Sequence, residues 1–513
     1  MRRSGASRTR VLERLAAAAA LTTVMLCPIA ALPAWAQAAA QPLGEMTDGA
    51  VPLEDATRVR IHGIAGRLSI RPGRGGELRF LSTLLAKPAE KSAVVLRREP
   101  GLLEVVPPPD SQVARLLEVS VPGGVALEIS SSSSRIEVRG LQGGLRVEGE
   151  ALDVALDAIG SATVVLRNSK ARVAGTGGAL TLDGVASSFE VEGVQGALFA
   201  TQTGGTLLVR GLVGDGELDL GDVALTLRGS RAGLRVRAHG GTIDLEELGQ
   251  GAHLELTDAP LELTSCRGEI DVSTDSGVRF ENLEADLHVD GYGASVTGTG
   301  NGQLVEIVTD GAEIDLREIQ GPVRIQGANL SLNLEGIGGE LIVLATSSTI
   351  SIARTAAPVT VQNDYGDIAV RAALGGVRIV SSDGDVHLTE ISGPVEVESN
   401  GTQVVVSWTT LDDKNDSYIL NEGGDVDVVF PWRARCRVDA TSRHGRVSSE
   451  IPDAPSDPDG SRASGSLNHG ESPTVRIESQ GSIHLAMTQP PRREGRVPRD
   501  LPPREPSGGE NPR

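Results

Sequence analysis

From about Ser134 to Val404 the chain alternates apolar and polar residues in short runs broken by glycine. The stretch GDVHLTEISGPVEVES at 384–399 shows the form: Val386 and Leu388 flank His387, and after Ile391 and a Gly-Pro pair come Val395 and Val397. Alternation with period two is the mark of a β-strand with one buried face. The phrase then repeats. Ile314, Leu332, Ile350, Ile368 and Val386 are spaced by 18, and so are Leu316, Leu334, Ile352, Val370 and Leu388. A bend glycine recurs at Gly321, Gly339, Gly375 and Gly393, with Ala357 standing in once, and the second run follows at Val323, Leu341, Val359, Val377 and Val395. Upstream, Gly196, Gly251, Gly268 and Gly302 mark units of 17 to 19 residues.

Eighteen residues at ~3.3 Å each trace a path of about 60 Å, too long for a hairpin and right for one coil of a β-solenoid. Coils stack at ~4.8 Å, so equivalent aliphatic positions pile into columns, and roughly fifteen coils between 134 and 404 predict a rod about 70 Å long. A lone coil loses more chain entropy than its few aliphatics recover, so only stacking stabilises it. Glycine is expected at the bends because it tolerates positive φ.

Composition sharpens this picture. Sixty-three glycines stand beside only 11 aromatic residues, so the core must be thin and aliphatic. The net charge of −20 deepens to −24 once residues 1–36, with five arginines and one glutamate, are set aside. A chain this acidic has no footprint for nucleic acid or anionic lipid. Residues 1–36 read as a signal peptide: arginines at 2, 3, 8 and 10, an apolar run from Leu15 to Ala34, and Ala34-Trp35-Ala36 before Gln37. An uncleaved anchor helix is the alternative, and a lipoprotein would need a small residue where Leu26 precedes Cys27. No later stretch approaches the ~20 apolar residues of a membrane helix, so no transmembrane segment is expected after cleavage. Cys266 and Cys436 are too few for a disulfide scaffold, form no CxxC, and read as buried small hydrophobes.

The expected organisation is a signal peptide at 1–36, an N-terminal β region and cap at 37–130, and solenoid repeats at 131–411. A closing segment follows at 412–452, then a flexible linker at 453–470, a final strand pair at 471–488 and a disordered tail at 489–513. The less regular ends, with ELRFLSTLLA near one and Trp408, Tyr418, Phe430 and Trp432 near the other, are expected to cap raw strand edges.

The segment LEVSVPGGVALEISSSSSRIEVRGLQGGLRVEG resembles the entry to the repeat in a family of bacterial exported adhesin-like domains of unknown function. Val121, Pro122, Gly124, Val125, Leu127 and Ile129 carry the match, and GGDVDVVFPWRARCRVDATSRHGRVSSEI looks like the family's closing segment. The resemblance covers about Val59 to Met487 and implies an all-β, single-stranded right-handed β-helix, but no catalytic residues. A serine run at Ser130–Ser134 departs from the pattern where a turn glycine is expected.

The candidate sites are weak. Asp412-Asp413 and Arg443-His444-Gly445-Arg446 resemble the acidic pair and His-Gly of pectin-degrading hydrolases, whose other signatures are missing. His253, His288 and His387 fall at outward strand positions and read as solvated faces. No Gly-x-Ser-x-Gly, phosphate loop or dinucleotide fingerprint is present, so neither catalytic residues nor a cofactor is expected. Turn aspartates Asp258, Asp275, Asp310, Asp364 and Asp383 suggest a calcium ladder, but its column runs Asp310, Ala328, Thr346, Asp364, Ser382, Asn400, and alanine cannot ligate. They read as turn formers, leaving Asp364, Asp367, Asp383 and Asp385 as the one local cation candidate. Trp408, Tyr418 and Trp432 could serve as sugar platforms and read first as capping residues.

The functional expectation is an exported, non-enzymatic structural or adhesive module of the cell envelope, in the periplasm, on the surface or secreted, whose partner is an envelope glycan or surface protein. The alternative is an envelope glycan-binding or glycan-modifying β-helix protein, which an exposed groove with converging carboxylates would favour. N-terminal sequencing of the exported product should begin at Gln37; a product that keeps Met1 would show an uncleaved anchor.

Overall fold

The computed structural model describes residues 41–108, 113–401, 403–411 and 414–489. Residues 1–36, expected to be a signal peptide, lie outside the described residues, as do Asp412-Asp413 and the residues beyond 489. The described chain is all-β: 42 strands and no helix among these residues, wound into a β-solenoid.

Each coil contributes two strands, one to each of two parallel sheets. In the first sheet Val323 pairs with Leu341, then Val359, Val377 and Val395. In the second, Ile314 pairs with Leu332, Ile350, Ile368 and Val386, with Leu316 to Leu388 in step. The 18-residue columns read from the sequence are therefore the register of the sheets, and every residue in them is at most 2 % exposed. Seventeen coils follow one another in chain order between Ala126 and Phe430, so the regular solenoid outruns the expected 131–411 on both sides.

The corners are built differently from the expectation. Gly268 and Gly393 adopt the expected positive φ, at 92° and 145°, but Gly321, Gly339 and Gly375 do not. These three are glycine because the next coil's backbone lies directly against them: a Cβ on Gly339 would stand 2.4 Å from the Gly321 carbonyl carbon, and one on Gly321 2.0 Å from the Gln303 oxygen. Positive φ occurs at two other columns, one per corner. One runs Ala151, Asn168, Ala186, Gly204, Asp222, Gly240, Asp258; the other runs Ser265, Asn282, Gly300, Glu318, Gly336, Arg354, Ala372, Glu390. A left-handed residue other than glycine costs roughly 1–2 kcal/mol. Alanine, glutamate and arginine accept it here because the strands on both sides of each corner fix the backbone.

The interior is aliphatic, as the composition demanded. Its few aromatics need room from a neighbour: a Cβ on Gly298 would lie 2.0 Å from the Phe280 ring, and one on Gly184 2.5 Å from that of Phe189. Buried polar side chains stitch coil to coil. Ser169 Oγ accepts from Leu152 N at 2.9 Å, Ser348 Oγ accepts from Leu330 N at 2.9 Å, and Asn363 Nδ2 donates to Ser348 O at 2.8 Å. The serine run at 130–134 has the same use, since Ser131 and Ser134 both donate to Ile64 O, at 2.6 and 2.8 Å. Cys266 and Cys436 are buried and unpaired, and burial raises both thiols, Cys436 to about 11.

Both ends are interleaved. The strands Arg58–His62 and Gly66–Gly73 lie between Ala126–Ser132 and Ser134–Arg139 on one side and Leu102–Val106 and Arg115–Pro122 on the other, all parallel. The N-terminal region thus supplies two solenoid layers as well as a cap of antiparallel strands, Glu77–Leu84 and Val94–Glu99, on the outermost layer. At the far end Thr474–Ser479 and Ile483–Met487 slot between Ser417–Asn421 and Asp425–Phe430 below and Cys436–Ser442 and Val447–Ser449 above. Residues 453–470, expected to be a flexible linker, carry the strand Arg462–Leu467, antiparallel on Cys436–Ser442. Their Ser, Asp and Gly content reads as linker, yet Ala454, Ala463 and Leu467 are fully buried, and a Cβ on Gly465 would strike the Asp453 oxygen at 1.8 Å.

Val370 is 1 % exposed between Ile352 and Leu388, and the next residue, Ala369, faces solvent. Val370→Asp should cost on the order of 4 kcal/mol by burying an unpaired charge, and Ala369→Asp should stay within about 0.5 kcal/mol of the native protein. Equal melting temperatures for the two variants would invert the assigned inner face.

Candidate functional site

Because the register is fixed, outward side chains also form ladders. Oppositely charged residues one coil apart meet repeatedly: Arg228 with Glu246 at 2.7 Å, Arg237 with Glu255 at 3.1 Å, Arg378 with Glu396 at 3.2 Å. The Arg237 guanidinium, first among several causes, holds the Glu255 carboxyl below its usual value. Such exposed pairs contribute little stability individually, about 0.2–1 kcal/mol, and serve mainly to favour one register.

One ladder on the first sheet differs from the rest. It runs Phe199, Glu217, Arg235, His253, Asp271, His288, Glu306. Between Phe199 and Asp271 it borders an open groove of about 690 Å³ that crosses five coils along the solenoid axis. The concavity arises because the adjoining column is Ala197, Asp215, Gly233, Gly251, Glu269, whose small members leave the floor bare. Phe199, 43 % exposed, offers an aromatic face at one end. At the other end Glu269, Asp271 and His288 bring one ligand atom each to within 4.8 Å of one another. His253 Nδ1 stands 4.0 Å from Asp271, and His288 Nδ1 lies 3.1 Å from Glu306 Oε2.

This constellation was not legible beforehand. His253 and His288 are indeed outward and half-exposed, but they do not stand alone. The coil joining Asp271 to His288 has 17 residues, not 18, and that one-residue shortening sets a carboxylate beside an imidazole. A period known only as 17 to 19 could not align them. Exposed aromatics were missed as well: Tyr292 and Tyr365, 77 % and 55 % exposed, sit in corners, where strand alternation carries no information.

The sites that were singled out fare differently. Trp408 is buried, stacks on Phe430 at 5.6 Å and donates from Nε1 to Gly393 O at 3.1 Å, so it is a capping residue. Trp432 is half-buried under the Arg433 guanidinium at 4.2 Å, and Tyr418 lies in a ladder between Glu396 and Arg476. His444-Gly445 is a turn packed on Gly481: a Cβ on Gly445 would lie 2.4 Å from the Gly481 carbonyl carbon. His387 occupies an outward position on the second sheet, in register with Ala369 and Val405.

Residues 323–480 match the family described as Toastrack DUF4097, which confirms the resemblance over that part of the chain. No curated protein matches the sequence. Among solved structures, one described as a "putative cell adhesion protein" from Clostridium sporogenes is similar at 9 % identity and a TM-score of 0.14, covering 87 % of this chain and 100 % of that one.

Four of the candidate aspartates accept from backbone, and Asp364 Oδ1 accepts from Ser382 Oγ at 3.4 Å. Asp310 Oδ1 accepts from Ala328 N at 2.7 Å, Asp367 Oδ1 from Asp385 N at 3.0 Å, Asp275 Oδ1 from Asp258 N at 2.8 Å, and Asp383 Oδ1 from Gly384 N at 2.9 Å. Most of these bonds join successive coils, so the carboxylates satisfy amides that the corner would otherwise orphan. Calcium needs six to eight oxygens, and each of these four carboxylates already has one oxygen engaged by an amide. Melting of the chain from Gln37 onward in chelator and then in millimolar calcium should therefore move the midpoint by less than about 2 °C, on the order of 2 kcal/mol for a chain of this size. A rise that survives loss of Asp367 and Asp385 would mean that the turn aspartates ligate after all.

Proposed function

We propose that this protein is an exported, non-enzymatic adhesive module of the cell envelope, and that its lateral groove holds an envelope polysaccharide. The observation that carries the reading is the groove itself, with Phe199 at one end and Glu217, Arg235, His253 and Asp271 along its side. An aromatic face with several charged hydrogen-bonding groups suits a hydroxyl-rich chain, whose sugar faces stack on rings and whose hydroxyls both donate and accept. The groups recur at the ~4.8 Å coil spacing, so a linear polymer laid along the axis meets a regular series of contacts. The acidic surface suits a glycan that is neutral or carries amines, with Arg235 as the single arginine lining the groove.

Export rests on residues 1–36, and the absence of turnover on the turn-like setting of His444-Gly445. Binding of the purified mature protein to a panel of envelope polysaccharides tests the reading. The Phe199→Ala and Arg235→Ala variants should each weaken the best ligand about tenfold or more, the size expected from losing 1–2 kcal/mol of stacking or charged hydrogen bonding. Native affinity in both variants would place the ligand elsewhere, and release of sugar fragments during the assay would make the protein an enzyme.

A further inference from the structure

We propose that Glu269, Asp271 and His288 bind one divalent transition-metal ion of the zinc class, with Glu306 orienting the histidine. The donors come from two successive coils. Asp271 and His288 are register partners, and Glu269 lies two residues before Asp271, on the same face of its strand. Donors at ~2.1 Å from a tetrahedral zinc stand about 3.4 Å apart, so atoms already within 4.8 Å close on an ion by small side-chain rotations. The backbone beneath them is a hydrogen-bonded ladder and does not need to move.

Charge supplies an independent argument. Two nearby outward glutamates are neutralised, Glu255 by Arg237 and Glu284 by Arg267 at 2.8 Å. Among the described residues, neither Glu269 nor Asp271 has an arginine or lysine within ion-pair distance, and Asp286 stands in register with Glu269, adding a third carboxylate. The basic groups within ion-pair distance of Asp271 and Glu306 are, among the described residues, the imidazoles of His253 and His288. Stacked like charges are unfavourable, and a divalent ion removes that repulsion.

The histidine selects the metal. Glu306 Oε2 lies 3.1 Å from His288 Nδ1, the arrangement in which a carboxylate holds one ring nitrogen protonated and leaves Nε2 as a donor. His253 lies 4.0 Å from Asp271 on the other side, with its Nε2 3.3 Å from Glu255, and stays outside the three-donor cluster. Imidazole with carboxylates suits zinc, cobalt or nickel rather than calcium. The site shares Glu269 and Asp271 with the groove, but its test does not depend on the polysaccharide reading, since the metal alone is the probe.

Titration of the chelator-treated mature protein with zinc chloride, followed by calorimetry, and with cobalt(II), followed by visible absorption, tests the assignment. One equivalent should bind. His288→Gln and Asp271→Asn should each weaken binding at least tenfold, and Glu306→Gln about tenfold, the range seen when a ligand's supporting carboxylate is lost. His387→Gln, which removes an outward histidine on the other sheet, should bind as the native protein does. The changes are on solvent-facing positions, so melting temperatures without metal should match. No uptake by the native protein, or uptake that His288→Gln leaves intact, would overturn the proposal and make the cluster an ordinary solvated ladder.

Discussion

Everything in this molecule follows from the close approach of one coil's backbone to the next. Parallel pairing at strand spacing puts residue upon equivalent residue, and at the corners the approach is tight enough to forbid a Cβ at Gly321, Gly339 and Gly375. The same contact explains why Phe280 requires Gly298, why serine and asparagine side chains inside the corners reach the adjoining coil, and why the outward face is a set of ladders. Change one coil's length by a residue and every ladder crossing it is rearranged. The shortened step between Asp271 and His288 is such a change, and the most distinctive cluster on the surface lies there.

Half of this was readable from the chain alone. Columns such as Ile350, Ile368 and Val386 were evident because burial on one face of a strand enforces strict alternation, and stacking enforces strict period. The corners were less legible, because two different demands both call for glycine. One is positive φ, which Asn, Asp, Ala and even Arg354 can meet when their surroundings hold them; the other is lack of space, which glycine meets at Gly321, Gly339 and Gly375 and which admits a methyl group once, at Ala357. Sequence shows the glycine and not the reason for it.

The ends and the surface cluster were illegible for another cause. Interleaving places Thr474–Ser479 beside Ser417–Asn421, more than fifty residues away, and nothing local records that choice. The cross-coil pairs of a site are equally non-local: whether Asp271 faces His288 or Asp286 depends on the exact length of one loop. Composition also misled, since the Ser-, Gly- and Asp-rich run at 453–470 has the make-up of a linker and the burial of a cap.

The interleaved C-terminal end has a mechanical consequence. In a simple spiral, tension on the chain after its last strand would peel the outermost coil away one hydrogen bond at a time. Here the last described strand, Ile483–Met487, is gripped along one edge by Asp425–Phe430 and, over Ile483–Leu485, along the other by Val447–Ser449. A pull directed along that strand loads two ladders in shear, so many bonds must fail together before any residue is released. Resistance to extraction is thus set by an inner layer rather than by the fraying edge.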